Sequence, residues 1–126
     1  MLQKIFTAAD LAGRLLLVAI FAIEAWTKLK GYDGAVAYME KFGLPGFLLP
    51  PAIIVEGAGA VLIAIGCQTR IAALFLAGFC VVTAIVFHNN LGNGNEQLHF
   101  LKDLAIAGGF LILFARGPGA WSVDGN

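Results

Sequence analysis

Six ionisable residues stand in or beside strongly apolar runs: Arg14, Glu24, Lys28, Glu56, His88 and Lys102. Glu56 is the clearest case, set in the middle of FLLPPAIIVEGAGAVLIAIG, from Phe47 to Gly66. A helix of that length covers about 30 Å, the thickness of a hydrocarbon core. A carboxylate near its centre costs about 2.5–3.5 kcal/mol on insertion scales, an expense that ordinary packing does not require. Carboxylates accept hydrogen bonds and cations bind oxygen atoms. The six together therefore predict a buried polar pocket around Glu56 that binds a small polar ligand. His99 and Asp103, four residues apart, are secondary candidates. No Cys motif suits a cluster, no glycine fingerprint suits a nucleotide, and no metal site is expected.

The elements that must carry these residues follow from composition. The chain has 126 residues, 60% hydrophobic and only 13% charged, with a mean hydropathy of +0.86. Soluble domains carry about a quarter charged residues, so a soluble class is excluded. A net charge of zero and the lack of a basic cluster exclude nucleic acid. The pattern predicts an all-α membrane protein, a bundle of four transmembrane helices forming one domain over 1–126. The spans are expected at about 8–28, 47–66, 70–88 and 98–116, with a short interfacial helix between the first two. MLQKIFTAAD reads as an interfacial lead-in. A cleavable signal peptide is disfavoured, because Asp10 and Arg14 interrupt its start and Glu24 stands where a small-residue cleavage site belongs.

Helical geometry then assigns faces. At 100° per residue Asp10, Arg14, Glu24 and Lys28 fall within an arc of about 80°, so one face of the first span is ionic and cannot meet lipid. Glu24 and Lys28 are spaced for an ion pair. In the second span Ala52, Glu56, Gly59, Ala60 and Gly66 share an arc of about 120° made mostly of small residues, which allows close helix approach and turns Glu56 inward. Between these spans GYDGAVAYMEKFGLP is bracketed by glycines, and Val36, Met39 and Phe42 recur at helical spacing. This segment is too short to span; it lies at the interface, folds back as a lid, or is a plain connector. In the third span the run from Ile71 to Phe87 has no charge, and His88 closes its far end. On the fourth, Lys102 shares a face with Gly109, while Asp103 points elsewhere. Cys67 and Cys80 form no CxxC pair; both read as small hydrophobes, although a redox role stays open. GPGAWSVDGN ends the chain outside the membrane, with Trp121 as an interface anchor.

These residues carry a resemblance. Gly13–Arg14 and Lys28–Leu29 on the first span, Glu56–Gly57, the Gly66 turn with Thr69–Arg70, Phe87–His88, Lys102-Asp103-Leu104-Ala105 with Gly108–Gly109, and the terminal Gly117-Pro118-Gly119 with Ser122 and Asp124 resemble, in this order, the DoxX family of small four-span bacterial membrane proteins. Glu24, where a small or neutral residue is usual, and Asp103, where Asn is usual, depart from that pattern. The resemblance implies a bacterial inner-membrane protein. It also implies a membrane subunit of a redox-linked assembly, with a soluble or membrane redox enzyme as partner or a homo-oligomer, and a quinone-like ligand. It points to an accessory subunit of an oxidoreductase system rather than a self-contained enzyme.

Lys4, Arg14, Arg70 and Arg116 fall on the side of the termini, and Lys28, Lys30, Lys41 and Lys102 on the other. Setting aside Arg14, Lys28 and Lys102 as intramembrane leaves three against two, which places both termini in the cytoplasm. Three classes remain open. One is a redox-linked subunit with a charged pocket, and another is a transporter of protons or a small anion. The third is a structural subunit in which Glu24–Lys28 and Glu56–Lys102 are buried pairs that fix register.

Overall fold

The computed structural model describes residues 1–87, 92 and 94–125. Its helices are α1 (Leu2–Lys30), α2 (Tyr32–Lys41), α3 (Leu49–Ile65), α4 (Thr69–Phe87) and α5 (Gly94–Arg116), with a single 3-10 turn, Gly46–Leu48, leading into α3. Four stretches are long and apolar enough to cross a membrane: Leu2–Lys30, Gly46–Ile65, Thr69–Phe87 and Gln97–Arg116. The large side chains Leu16, Ile54, Phe75 and Ile112 lie on outer faces, while alanines such as Ala60, Ala73, Ala77 and Ala84 fill the interior. An exterior of large apolar groups around a small-residue core is what lipid as solvent selects. The chain is an all-α membrane bundle.

Local chemistry sets the element ends. Pro50 and Pro51 occupy the first turn of α3, where a missing N–H costs nothing. Gly66, with φ +75°, closes α3: its N–H donates to Ile63 O (3.1 Å) and that of Cys67 to Leu62 O (2.8 Å), a Schellman stop. The first span begins earlier than expected, because MLQKIFTAAD contains no breaker and continues as helix from Leu2. At 29 residues α1 is about 43 Å long and exceeds a 30 Å core. Lys28 and Lys30 in its last turn suit the negative end of the helix dipole. α2 folds over the end of the bundle: Met39 is buried, and Tyr38 stacks on Phe87 with ring centroids 5.4 Å apart.

Packing joins α1 to α3 and α4 to α5, with α3 against α4 linking the two pairs. A Cβ at Gly57 would make an ordinary contact with that of Ala25 at 3.6 Å, whereas one at Gly59 would press on Leu76 at 3.0 Å, so the α3–α4 crossing is the tighter of the two. α1 and α5 meet over a much smaller area. Phe21 and Phe110 close their seam edge to face, with centroids 5.4 Å apart, and Leu17 lies against Gly109. On either side of this plug the seam opens.

Candidate functional site

Near the α2 end of the seam, α1, α2, α4 and α5 enclose a cavity of about 320 Å³. Its polar groups are Glu24, Thr27 and Lys28 of α1, Thr83 of α4 and Asp103 of α5. Phe79, Tyr38 and Phe87 supply aromatic wall, and the buried Cys80 lies behind them. Lys28 Nζ pairs with Glu56 Oε1 and stands 5.7 Å from the centroid of the Phe79 ring. The two partners differ: the Lys28 side chain is 29% exposed and that of Glu56 is 0% exposed. The second carboxylate oxygen, Oε2, is buried with no hydrogen-bond partner. Glu24, one turn before Lys28, places its carboxyl at hydrogen-bonding range of the same carboxylate; ionised, it offers no donor there and acts as a like charge. Lys28 also borders a second, apolar cavity of about 330 Å³ beneath α2, which shares Tyr38, Phe79, Thr83 and Phe87 with the first.

The structure divides the set expected from sequence. Glu24 and Lys28 line the cavity together with Asp103, a secondary candidate, while Glu56 is fully buried off its wall and reaches it through the pair with Lys28. Arg14 does not. It lies at the opposite end of the bundle and is 2% exposed. There its Nη1 donates to Ile63 O (2.8 Å) and Ala64 O (3.0 Å), and its Nη2 to Trp121 O. The helical wheel placed Arg14 and Lys28 in one direction, but fourteen residues separate them by about 21 Å along the axis. Lys102 is exposed and lies outside the cavity, so the Glu56–Lys102 and Glu24–Lys28 pairs give way to Lys28–Glu56. On α5 the neighbouring Asp103 takes the inward direction, and adjacent residues point about 100° apart. His99, one turn before Asp103, is exposed. His88 lies outside the described residues.

Sequence reasoning missed the work of the C-terminal tail. Asp124 accepts from the backbone N–H of Gln68 (3.1 Å) and Thr69 (3.0 Å), capping α4 from a distant part of the chain. The N–H of Val123 donates to Ile65 O (3.0 Å) and that of Asp124 to Gly66 O (2.8 Å). With Arg14 on Ile63 and Ala64, every carbonyl from Leu62 to Gly66 has a donor. This matters where no water can stand in. The Thr69 backbone N–H holds the Asp124 carboxyl below the usual carboxylate range, with help from the Thr69 side chain, Gln68 and Arg14. Trp121 contributes its carbonyl to this latch while its ring is exposed, consistent with an interface position. The only signal in the sequence was the Gly-Pro-Gly run followed by Ser122 and Asp124, which has no periodicity to read.

Among the described residues no three His, Cys, Asp or Glu side chains are grouped to hold a metal ion. Both cysteines are free thiols, Cys80 buried and Cys67 half-buried at the α3–α4 turn.

Residues 9–89 match the DoxX family. The chain is 44% identical over 123 residues to Inner membrane protein YqjF of Escherichia coli K12, covering 98% of this chain and 95% of that protein. It is 36% identical to Inner membrane protein YphA of the same organism, over 90% and 86% of the two chains. A more distant similarity, 29% over 60% of this chain and 57% of the relative, is to a Bacillus subtilis 168 protein named "Putative oxidoreductase CatD". No solved structure matches the chain. Matched over most of its length and nearly end to end with a bacterial relative of this kind, the chain belongs to the DoxX family and is a multi-pass inner-membrane protein.

Proposed function

We propose that this protein is a single-domain membrane subunit of a redox-linked assembly, and that the chamber around Lys28 and Glu56 binds a quinone-like or small polar ligand. The observation that carries this reading is a carboxylate with no exposure, paired through one oxygen to Lys28 and unpartnered at the other, beside a cavity. A buried ion pair with an unsatisfied oxygen is a poor packing device, because desolvation offsets most of its attraction. The adjoining apolar cavity suits a ring or short chain, and Lys28, which borders both spaces, offers N–H donors to a ligand oxygen. The oxidoreductase name of the distant relative supports the redox link. The partner in this reading is a soluble or membrane redox enzyme, and both termini lie in the cytoplasm.

The test is purification in mild detergent, identification of co-purifying small molecules and proteins, and titration with decylubiquinone. Wild-type protein binds saturably, and Lys28→Met binds at least tenfold more weakly. Equal binding by the two proteins overturns the reading.

The unpartnered Glu56 Oε2, with Glu24 and Asp103 close to Lys28, favours a second reading, proton transfer through the chamber. Three carboxylates around one ammonium weigh against a small anion. Proton flux into liposomes carrying the purified protein alone distinguishes this reading from the first.

A further inference from the structure

At the opposite end of the α1–α5 seam, beyond the Phe21–Phe110 plug, lies a second opening of about 470 Å³. Its lower walls are apolar, Leu16 on α1 facing Ile112 and Leu113 on α5. Its upper rim carries Arg14, Arg116 and Asp10. It opens sideways between two candidate spans, at the level where the termini leave the bundle, so the solvent it meets is the edge of a lipid leaflet.

Arg14 is the unusual member. A guanidinium has five N–H donors in a fixed fork. Three donate to the carbonyls of Ile63, Ala64 and Trp121, which fixes the side chain. Its Nε is buried and has no hydrogen-bond partner. That nitrogen has no accessible surface, so Arg14 acts on the groove through its positive charge rather than through a further hydrogen bond. Asp10 acts on Arg14 through space but takes no hydrogen bond from that nitrogen. Arg116, exposed at the same rim, adds a second cation, so the rim carries two positive charges against one negative.

We propose that this groove is a binding site for an anionic phospholipid. A phosphate oxygen of the headgroup accepts from the exposed Arg116, with the positive charge of the buried Arg14 beneath it, and an acyl chain lies along Leu16, Ile112 and Leu113. Phosphate matches planar guanidinium donors better than any other group a leaflet presents. The site is separate from the Lys28–Glu56 chamber and does not depend on what that chamber binds.

The experiment reads lipid retained by the whole protein, by native mass spectrometry after reconstitution in nanodiscs of equimolar phosphatidylglycerol and phosphatidylcholine. One surplus cation at the interface favours the anionic lipid about fivefold. Arg116→Gln moves the ratio toward parity and Asp10→Asn raises it, two changes of opposite sign at exposed positions that leave the Arg14 bonds in place. Parity in the wild type overturns the proposal. So does an enrichment that neither substitution changes, since the anionic lipid would then sit elsewhere.

Discussion

Arg14 and Lys28 lie on one face of one helix, yet the two ends of α1 use their cations in opposite ways. At the terminus end, Arg14 meets backbone carbonyls that need donors in any membrane fold, so its three bonds complete secondary structure. At the α2 end, Lys28 meets a carboxylate that no backbone group requires, and one oxygen of that carboxylate is unpaired. Folding explains the three bonds of the first arrangement, although Arg14 Nε also lacks a partner. It does not explain the second, which stands beside the cavity at the α2 end. In the proposed reading it is the identity of the acceptor, rather than the burial of the cation, that marks Lys28 as the charge of the chamber.

Substitutions at five positions break or sharpen that contrast. Lys28→Met strands the buried Glu56 carboxylate and costs about 3–5 kcal/mol, read as thermal unfolding in detergent. Glu56→Leu costs less, since Lys28 is part-exposed, and the double variant is more stable than Lys28→Met alone. At the other end Arg14→Lys keeps the charge but loses the fork. It costs about 1–3 kcal/mol by orphaning a carbonyl, whereas Lys28→Arg preserves the pair. Next comes Gly66→Ala, which puts a Cβ into the left-handed region for about 1–2 kcal/mol and drives it against Ser122 and the Arg14 guanidinium. Lys102→Met, by contrast, changes stability by less than about 0.5 kcal/mol, because this lysine is exposed and outside both arrangements.

The latch end also carries a pH dependence. The Asp124 carboxyl is depressed in the folded protein by the Thr69 amide first and by Gln68 and Arg14 after it. A depressed carboxyl contributes stability above its unfolded value, near 3.9, and loses it as pH falls through the lower folded value. Acidification below about pH 4 therefore releases the tail, seen as a change in Trp121 emission in a Trp26→Phe background, and Asp124→Asn removes that transition. Emission that does not respond to pH would show that the carboxylate is not what holds the tail.

Much of the fold was legible in the chain because the spans are long, nearly uncharged runs bounded by glycine, proline or charge. The start of α1 was not, since an interfacial lead-in without a breaker is indistinguishable from helix. Within the site, helical spacing turned Glu56 inward and grouped it with Glu24 and Lys28. It failed for Arg14 because a wheel records direction and not depth, and for Lys102 because its neighbour Asp103 takes the inward position. The tail was illegible for a different reason: its bonds join residues more than fifty positions apart, each with a backbone group on at least one side, which no side-chain pattern encodes.

The central claim, that the Lys28–Glu56 pair serves a ligand rather than the packing of the bundle, is tested most directly in the Lys28→Met/Glu56→Leu double variant. An apolar pair of similar volume is tolerated where a buried ion pair stood. The double variant is therefore expected to unfold near the wild-type temperature while binding decylubiquinone at least tenfold more weakly. A double variant that is equally stable and binds as the wild type does would contradict the account.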